Sequence, residues 1–146
     1  MPNRRISNVI AGQSLVTATR EMTVRAACRL MAEKRIGAML VVESNKIVGI
    51  FTERDALNKV LATSMDPDTT KLAQVMVSDP MTIRSDKPLG FALAMMADGG
   101  FRHVPVVDDN GAPLGMVSAR DALGQDMLEL EKEMKRREEL EGSIGY

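Results

Sequence analysis

The sequence predicts an α+β fold in which two copies of one β-α-β-β-α unit pack with pseudo-two-fold symmetry, followed by a C-terminal helix. Three observations carry this prediction. "GIFTERDAL", from Gly49 to Leu57, returns as "GMVSARDAL", from Gly115 to Leu123, with five of nine letters unchanged. The apolar positions of "TVRAACRLMAEK" fall on those of "PLGFALAMMADG" at an offset of 65. Two apolar runs, "AMLVV" and "VPVV", each open a strand-turn-strand pattern that ends in the repeated phrase.

Taken in order, "RISNVIAG" and "KLAQVMVS" align as short helical lead-ins, and "LVTAT" and "MTI" as short β-like stretches. In the next segment Val24 meets Leu89, Ala27 meets Ala92, Cys28 meets Leu93, Met31 meets Met96 and Ala32 meets Ala97. Those spacings trace one face of an α-helix. Thr23 suits an N-cap, Pro88 is tolerated in a first turn, and Gly99-Gly100 reads as a C-cap.

Two hairpins follow, turning through "ESNK" and "DDNGA", with Asn110-Gly111 a strong turn signal. The longer second turn raises the offset from 65 to 66. A second helix is expected after each hairpin, from Glu53 to about Leu61 and from Ala119 onward. The chain then divides into a first repeat at 5–62, a polar linker at 63–70, a second repeat at 71–126 and a helical tail at 127–146. A unit of this size buries too little surface alone, so the two copies are expected to share one compact domain.

Composition bounds the function. Apolar residues make up 45% and charged residues 27%, the balance of a soluble globular protein. Lys and Arg number 19 against 20 Asp and Glu, so no global basic field favours nucleic acid or an anionic membrane. No apolar run approaches a bilayer span, and the N-terminus makes a poor secretion signal. With Cys28 the single cysteine, no intrachain disulfide forms, and a cytoplasmic location is expected. One Cys and one His also leave no zinc site within a chain, so no metal is expected.

The repeated phrase carries the chemistry. Thr52 and Ser118 close a strand, and each can cap the helix that starts at the next residue. The free amides and positive dipole end of such a helix favour a phosphate. Asp55 and Asp121 fall in the first helical turn, where a carboxylate suits the vicinal hydroxyls of a ribose. Arg54 and Arg120 stand beside them as phosphate partners. The same pattern is nearly a capping box, in which the acid returns a hydrogen bond to the N-cap amide. Both readings are open at this point.

"IGAMLVVESNKIVGIFTERDAL", "MVSDPMTI" and "RHVPVVDDNGAPLGMVSARDAL" together resemble the CBS domain, which occurs in tandem pairs called Bateman modules. The resemblance covers about residues 5–125. It implies a free-standing, non-catalytic regulatory module that binds an adenine nucleotide in clefts between the repeats. AMP, ADP, ATP, NAD and S-adenosylmethionine are ligands in the family, and here AMP is favoured, with ATP or NAD as further candidates. No catalytic cofactor is implied. The family's adenine slot maps onto Val16 and Thr17, Met81 and Thr82, with Ala38, Met39, Val104 and Pro105.

Arg102 and His103 occupy positions from which family members contact phosphate, where the first copy has Gly37 and Ala38 with Lys34 and Arg35 a turn earlier. The cleft holding Ser118 and Asp121 is therefore expected to bind more tightly. His103 also has an ordinary structural reading. The resemblance further implies a homodimer and a regulated partner protein in signal transduction. The alternative function is a ligand-independent dimerisation module that docks a partner and uses its acids only as caps.

Cys28 lies on the core face of its helix, which makes it a small hydrophobe rather than a nucleophile. No Walker A loop, Gly-x-Gly-x-x-Gly or nucleophile-base set is present, so no enzymatic activity is expected. In the tail, Leu123, Met127, Leu130 and Met134 form a coiled-coil-like stripe. A helix laid on its own domain, dimer packing and partner docking are all compatible with it.

Overall fold

In the computed structural model the described residues are 4–123 and 125–141, with no side-chain description for 125–129 and 141. The first repeat runs through α1 (Ile6–Val9), β1 (Thr17–Ala18), α2 (Val24–Lys34), β2 (Ala38–Glu43), β3 (Lys46–Thr52) and α3 (Glu53–Asp55). The helix continues from α3 as a π-helical stretch, Ala56–Val60, and a 3₁₀ turn, Leu61–Thr63. The second repeat follows as α4 (Leu72–Val75), β4 (Val77–Ser78), β5 (Ile83–Arg84), α5 (Leu89–Gly99), β6 (His103–Val107) and β7 (Pro113–Ser118). A 3₁₀ turn (Ala119–Ala122) completes it, and a C-terminal helix, α6 (Gln125–Glu141), follows.

Two sheets form, in the orders β1-β2-β3-β4 and β5-β6-β7, with β4 of the second repeat at the edge of the first. Within each, the lead strand is parallel to the next and the hairpin is antiparallel. The repeat extends to irregularities: the register shifts between Val41 and Val42 in one copy and between Val106 and Val107 in the other. The first hairpin turns on Ser44 and Asn45, both at positive φ, a two-residue turn whose twist matches the strands. In the second, the Asp108 Oδ1 accepts hydrogen bonds from the Asn110 and Ala112 amides, and Gly111 takes a φ of 81°. Thr23 Oγ1 accepts the Ala26 amide as the N-cap of α2. Helices α2 and α5 both end on a left-handed residue, Arg35 and Gly100.

The lead-in helices are exchanged. The Ile6 amide bonds to the Lys87 carbonyl at 3.0 Å, and the Leu89 amide reaches back to the Arg4 carbonyl. Equivalently, the Leu72 amide bonds to the Met22 carbonyl at 2.9 Å and the Val24 amide to the Thr70 carbonyl. Ile6, fully buried, joins Ile83, Leu89, Ala92, Met96, Val104, Val106 and Val117 in the core of the second repeat. Leu72, Val75 and Met76 join Val24, Ala27, Met31, Met39, Val41 and Phe51 in the core of the first. A third cluster of Ala38, Leu40 and Ile50, with Met116 packed against it, ties the two sheets together.

This exchange explains the repeated glycine. A Cβ on Gly49 would overlap Met76 Sδ and lie 2.9 Å from its Cγ, and one on Gly115 would lie 3.1 Å from Ile10 Cβ. Met76 and Ile10 are equivalent residues of the two exchanged lead-ins. The edge beyond each glycine is closed differently. β4 pairs with Gly49 and Ile50 of β3, whereas on β7 the Gln13 side-chain amide substitutes for a strand. It accepts the Met116 amide and donates to the Met116 carbonyl.

The continuous helix expected from Ala119 onward is not formed. The Ala119–Ala122 turn ends at an extended Leu123, and a separate helix, α6, begins at Gln125, two residues before the expected tail. Sequence supplies the reason. Val60, 1% exposed, anchors the first copy's helix, but Asp126 and Gly124 stand at the positions of Val60 and Asn58. Glycine disfavours the helix by about 1 kcal/mol, and no apolar residue is there to bury. Among the described residues, no helix is long and apolar enough to cross a membrane.

Gly49→Ala is expected to destabilise the protein by about 1–3 kcal/mol through overpacking. Combined with Met76→Ala, the loss should fall short of the sum of the single losses, because the two share one contact. Denaturant unfolding of the four proteins checks this.

Candidate functional site

The exchange brings each Thr/Ser-x-x-Asp corner against the other repeat. The first cleft, about 840 Å³, has Thr52, Arg54 and Asp55 on one wall and Pro80, Met81, Gly99 to Phe101, Arg102 and His103 on the other. The second, about 620 Å³, places Ser118, Arg120 and Asp121 opposite Ser14, Leu15, Val16, Lys34, Arg35, Gly37 and Ala38. Glu53, Arg102 and His103 line both. The Glu53 amide bonds to the Gly37 carbonyl at 2.9 Å, and a Cβ on Gly37 would lie 3.0 Å from Glu53 Oε1 and 3.7 Å from His103 Nε2. Gly37, Glu53 and His103 meet at the wall between the clefts, where a larger residue at 37 would press on the Glu53 carboxylate.

Both corners close as capping boxes. Asp55 Oδ2 accepts the Thr52 amide at 3.0 Å and its hydroxyl at 3.1 Å, while Oδ1 takes the Lys59 ammonium at 3.2 Å. Asp55 is 8% exposed. Asp121 Oδ2 accepts the Ser118 amide at 2.7 Å, and the Arg4 guanidinium bonds to the Asp121 carbonyl. Asp121 is only half-buried, and Gln125 stands where the first copy has Lys59. The capping role that sequence left open is therefore present at both sites, more completely at Asp55.

The clefts differ in charge. The cleft at Asp55 holds Arg54 and Arg102 against Glu53, Asp55 and Asp79. The cleft at Asp121 holds Lys34, Arg35, Arg102 and Arg120 against Glu53 and Asp121. A surplus of cations in a partly desolvated recess favours an anion. Burial pushes the His103 imidazole below its ordinary pKa, and Arg120 and Arg102 push the same way against Glu53 and Asp121. His103 is thus a neutral donor or acceptor at neutral pH. Burial raises the Cys28 thiol, which is half-buried against the first core, as befits an unreactive cysteine.

The CBS domain model matches residues 6–62 and again 72–127. The chain belongs to the CBS-domain family. An uncharacterised protein of Methanopyrus kandleri is 33% identical over 89% of this chain and 68% of its own length. A CBS domain-containing protein of Arabidopsis thaliana is 31% identical over 88% of this chain, which spans about a quarter (24%) of that relative. A CBS domain protein from Pyrobaculum aerophilum, solved in complex with AMP, is 26% identical with a TM-score of 0.76, covering 88% of this chain and 98% of the other.

The two CBS repeats gather most of the residues singled out from sequence and exclude some. Thr52, Arg54 and Asp55 line the first cleft, Ala38, Ser118, Arg120 and Asp121 the second, and Arg102 and His103 both. Val16 and Met81 face a cleft, but their neighbours Thr17 and Thr82 do not line either one. Met39 and Val104 do not line either cleft with their side chains. Strand alternation turns both side chains into the cores of their own repeats, fully buried, and Pro105 is buried outside the clefts.

Arg102 and His103, grouped by sequence with Asp121 alone, also stand across from Asp55. Lys34 and Arg35 move correspondingly to Asp121. Sequence reasoning missed Glu53, Asp79, Pro80 and Phe101. Only the matched position of "SDPM" and "GQSL" before each β-like stretch pointed to this lining.

Asp55→Ala is expected to cost about 2 kcal/mol, because it removes the lysine pair and leaves a buried amide unpaired, against about 1 kcal/mol for Asp121→Ala. Thermal or denaturant unfolding of the two variants checks the order.

Proposed function

We propose that this CBS pair is a non-catalytic regulatory module that takes an adenine nucleotide, AMP first, in the cleft of Ser118 and Asp121. The observation that carries this reading is the surplus of Lys34, Arg35, Arg102 and Arg120 over two carboxylates in that cleft. In the proposed complex the phosphate lies among these cations, and the half-buried Asp121 turns from its cap to the ribose hydroxyls. Val16, Ala38 and the backbone beside them hold the base. Asp55, deeper and bound to Lys59, stays a cap. The AMP complex of the Pyrobaculum relative supports the ligand class.

The same reading makes the module a cytoplasmic homodimer that acts on a partner protein. Leu57 and Leu61, 58% and 70% exposed after β3, are the apolar residues such an assembly would cover.

A second reading is favoured by one observation: both carboxylates already serve their own strand ends, as in a pure assembly module. Calorimetric titration with AMP, ATP, NAD and S-adenosylmethionine separates the two. AMP is expected to bind, and Asp121→Asn to weaken it by about tenfold, the worth of a charged hydrogen bond, with Asp55→Asn nearly neutral. Absence of heat with all four ligands would leave the assembly module as the function.

A further inference from the structure

The C-terminal helix is tied to the proposed nucleotide cleft through the cleft's own cations. Arg35 Nη1 lies 2.6 Å from Glu138 Oε2, and Arg120 Nε lies 3.5 Å from Glu131 Oε2. Both arginines line the Ser118–Asp121 cleft, and they come from opposite repeats. Arg35 is the left-handed residue closing α2, and Arg120 sits in the turn after β7. Glu131 and Glu138 are seven residues apart, so they project from one side of α6 about 10 Å from each other. The helix therefore reaches from one rim of the cleft to the other.

Nothing else described on α6 explains its position. Leu130 and Met134 of the apolar stripe are 52% and 54% exposed, and Leu140 beyond it is 72% exposed, so none of the three is buried against the body of the chain. Met127, the other member of that stripe within α6, lies outside the described side chains. Glu133 points away from Glu131, about 200° around the helix, and is satisfied within α6 by Arg136 and Arg137. Among the described residues, the ion pairs joining α6 to the repeats are the two that use cleft arginines.

We infer that Glu131 and Glu138 form an electrostatic strap that occupies Arg35 and Arg120, and that a phosphate-bearing ligand in the Ser118–Asp121 cleft displaces it and frees α6. The inference rests on the proposed nucleotide site and adds its output. A phosphate monoester, with a charge of about −1.5 to −2, competes directly with two carboxylates for the same guanidinium groups. Both pairs are solvent-exposed, each side chain at least 31% accessible, which makes the strap weak enough to be exchanged. Ligand and strap exclude each other through shared groups, so each lowers the other's affinity by the same factor.

The test uses the full chain and the double variant Glu131→Gln/Glu138→Gln, titrated with AMP and with uncharged adenosine. AMP should bind the variant about threefold more tightly at about 0.05 M salt, and the gain should vanish near 0.5 M as the pairs are screened. Adenosine affinity should not change. Hydrogen exchange of the α6 amides should be faster in the variant without ligand, and AMP should raise wild-type exchange to that level. If AMP binds both proteins equally and α6 exchange does not respond, the strap is refuted while the nucleotide site stands. Weaker AMP binding by the variant would make the helix part of the site and likewise overturn the strap. If neither protein binds AMP, the nucleotide reading fails and the strap falls with it.

Discussion

Ile6 sits in the core of the second repeat, and Leu72 sits in the core of the first. On this reciprocal docking of two four-residue helices the rest of the architecture depends. Each repeat alone is a three-stranded sheet with one long helix, whose inner face needs cover on the side the hairpin leaves open. The lead-in of the other repeat supplies that cover, bringing its own backbone hydrogen bonds to residues 20–24 or 85–89. Burying Ile6 and Leu72 completely contributes roughly 1.5–3 kcal/mol each. Because the contributions are exchanged, neither repeat completes its core without the other. The repeated glycine, Gly49 and Gly115, marks the close approach this demands.

The clefts follow from the same exchange. Crossing the lead-ins carries Ser14 to Val16 over to Ser118, and Pro80 and Met81 over to Thr52, so each cleft combines both repeats. A ligand in either one must then feel their relative position. The repeats are near-copies in fold but not in charge. Substitutions at a few matched positions, Lys34 for Gly99 and Arg35 for Gly100 among them, concentrate cations at Asp121. Asp55 is buried and paired with Lys59, while Asp121 is half-buried and capped beside the cationic cleft. The two corners therefore differ in how firmly each carboxylate is held: Asp55 by its cap and by Lys59, Asp121 by its cap alone.

Much of this was legible in sequence. The helical faces of α2 and α5, the hairpins, the Thr23 cap and the Thr/Ser-x-x-Asp corners all follow from local periodicity and turn chemistry, which act over a few residues. The exchange was not legible, because "RISNVIAG" and "KLAQVMVS" are similar enough to cover either core. Arg102 and His103 belong to the same repeat as Asp121, and sequence gave no sign that they also face Asp55. That the side chains of Met39 and Val104 turn into the cores was hidden for a different reason: in an all-apolar strand, period-two alternation carries no visible signal. The break at Leu123 was readable in principle from Asp126 standing in the place of Val60, a single apolar anchor lost. The span of α6 between Arg35 and Arg120 depends on that break, because it lets the helix leave the course followed by its counterpart.

The exchange itself is tested most directly by hydrogen exchange on Ile6→Ala in the full chain, a substitution expected to cost about 2–5 kcal/mol. The account predicts that protection falls first in α5, β6 and β7, more than sixty residues away in sequence, with α2, β2 and β3 less affected. Loss of protection confined to α2, β2 and β3 would mean that each repeat is closed by its own lead-in, and would contradict the account.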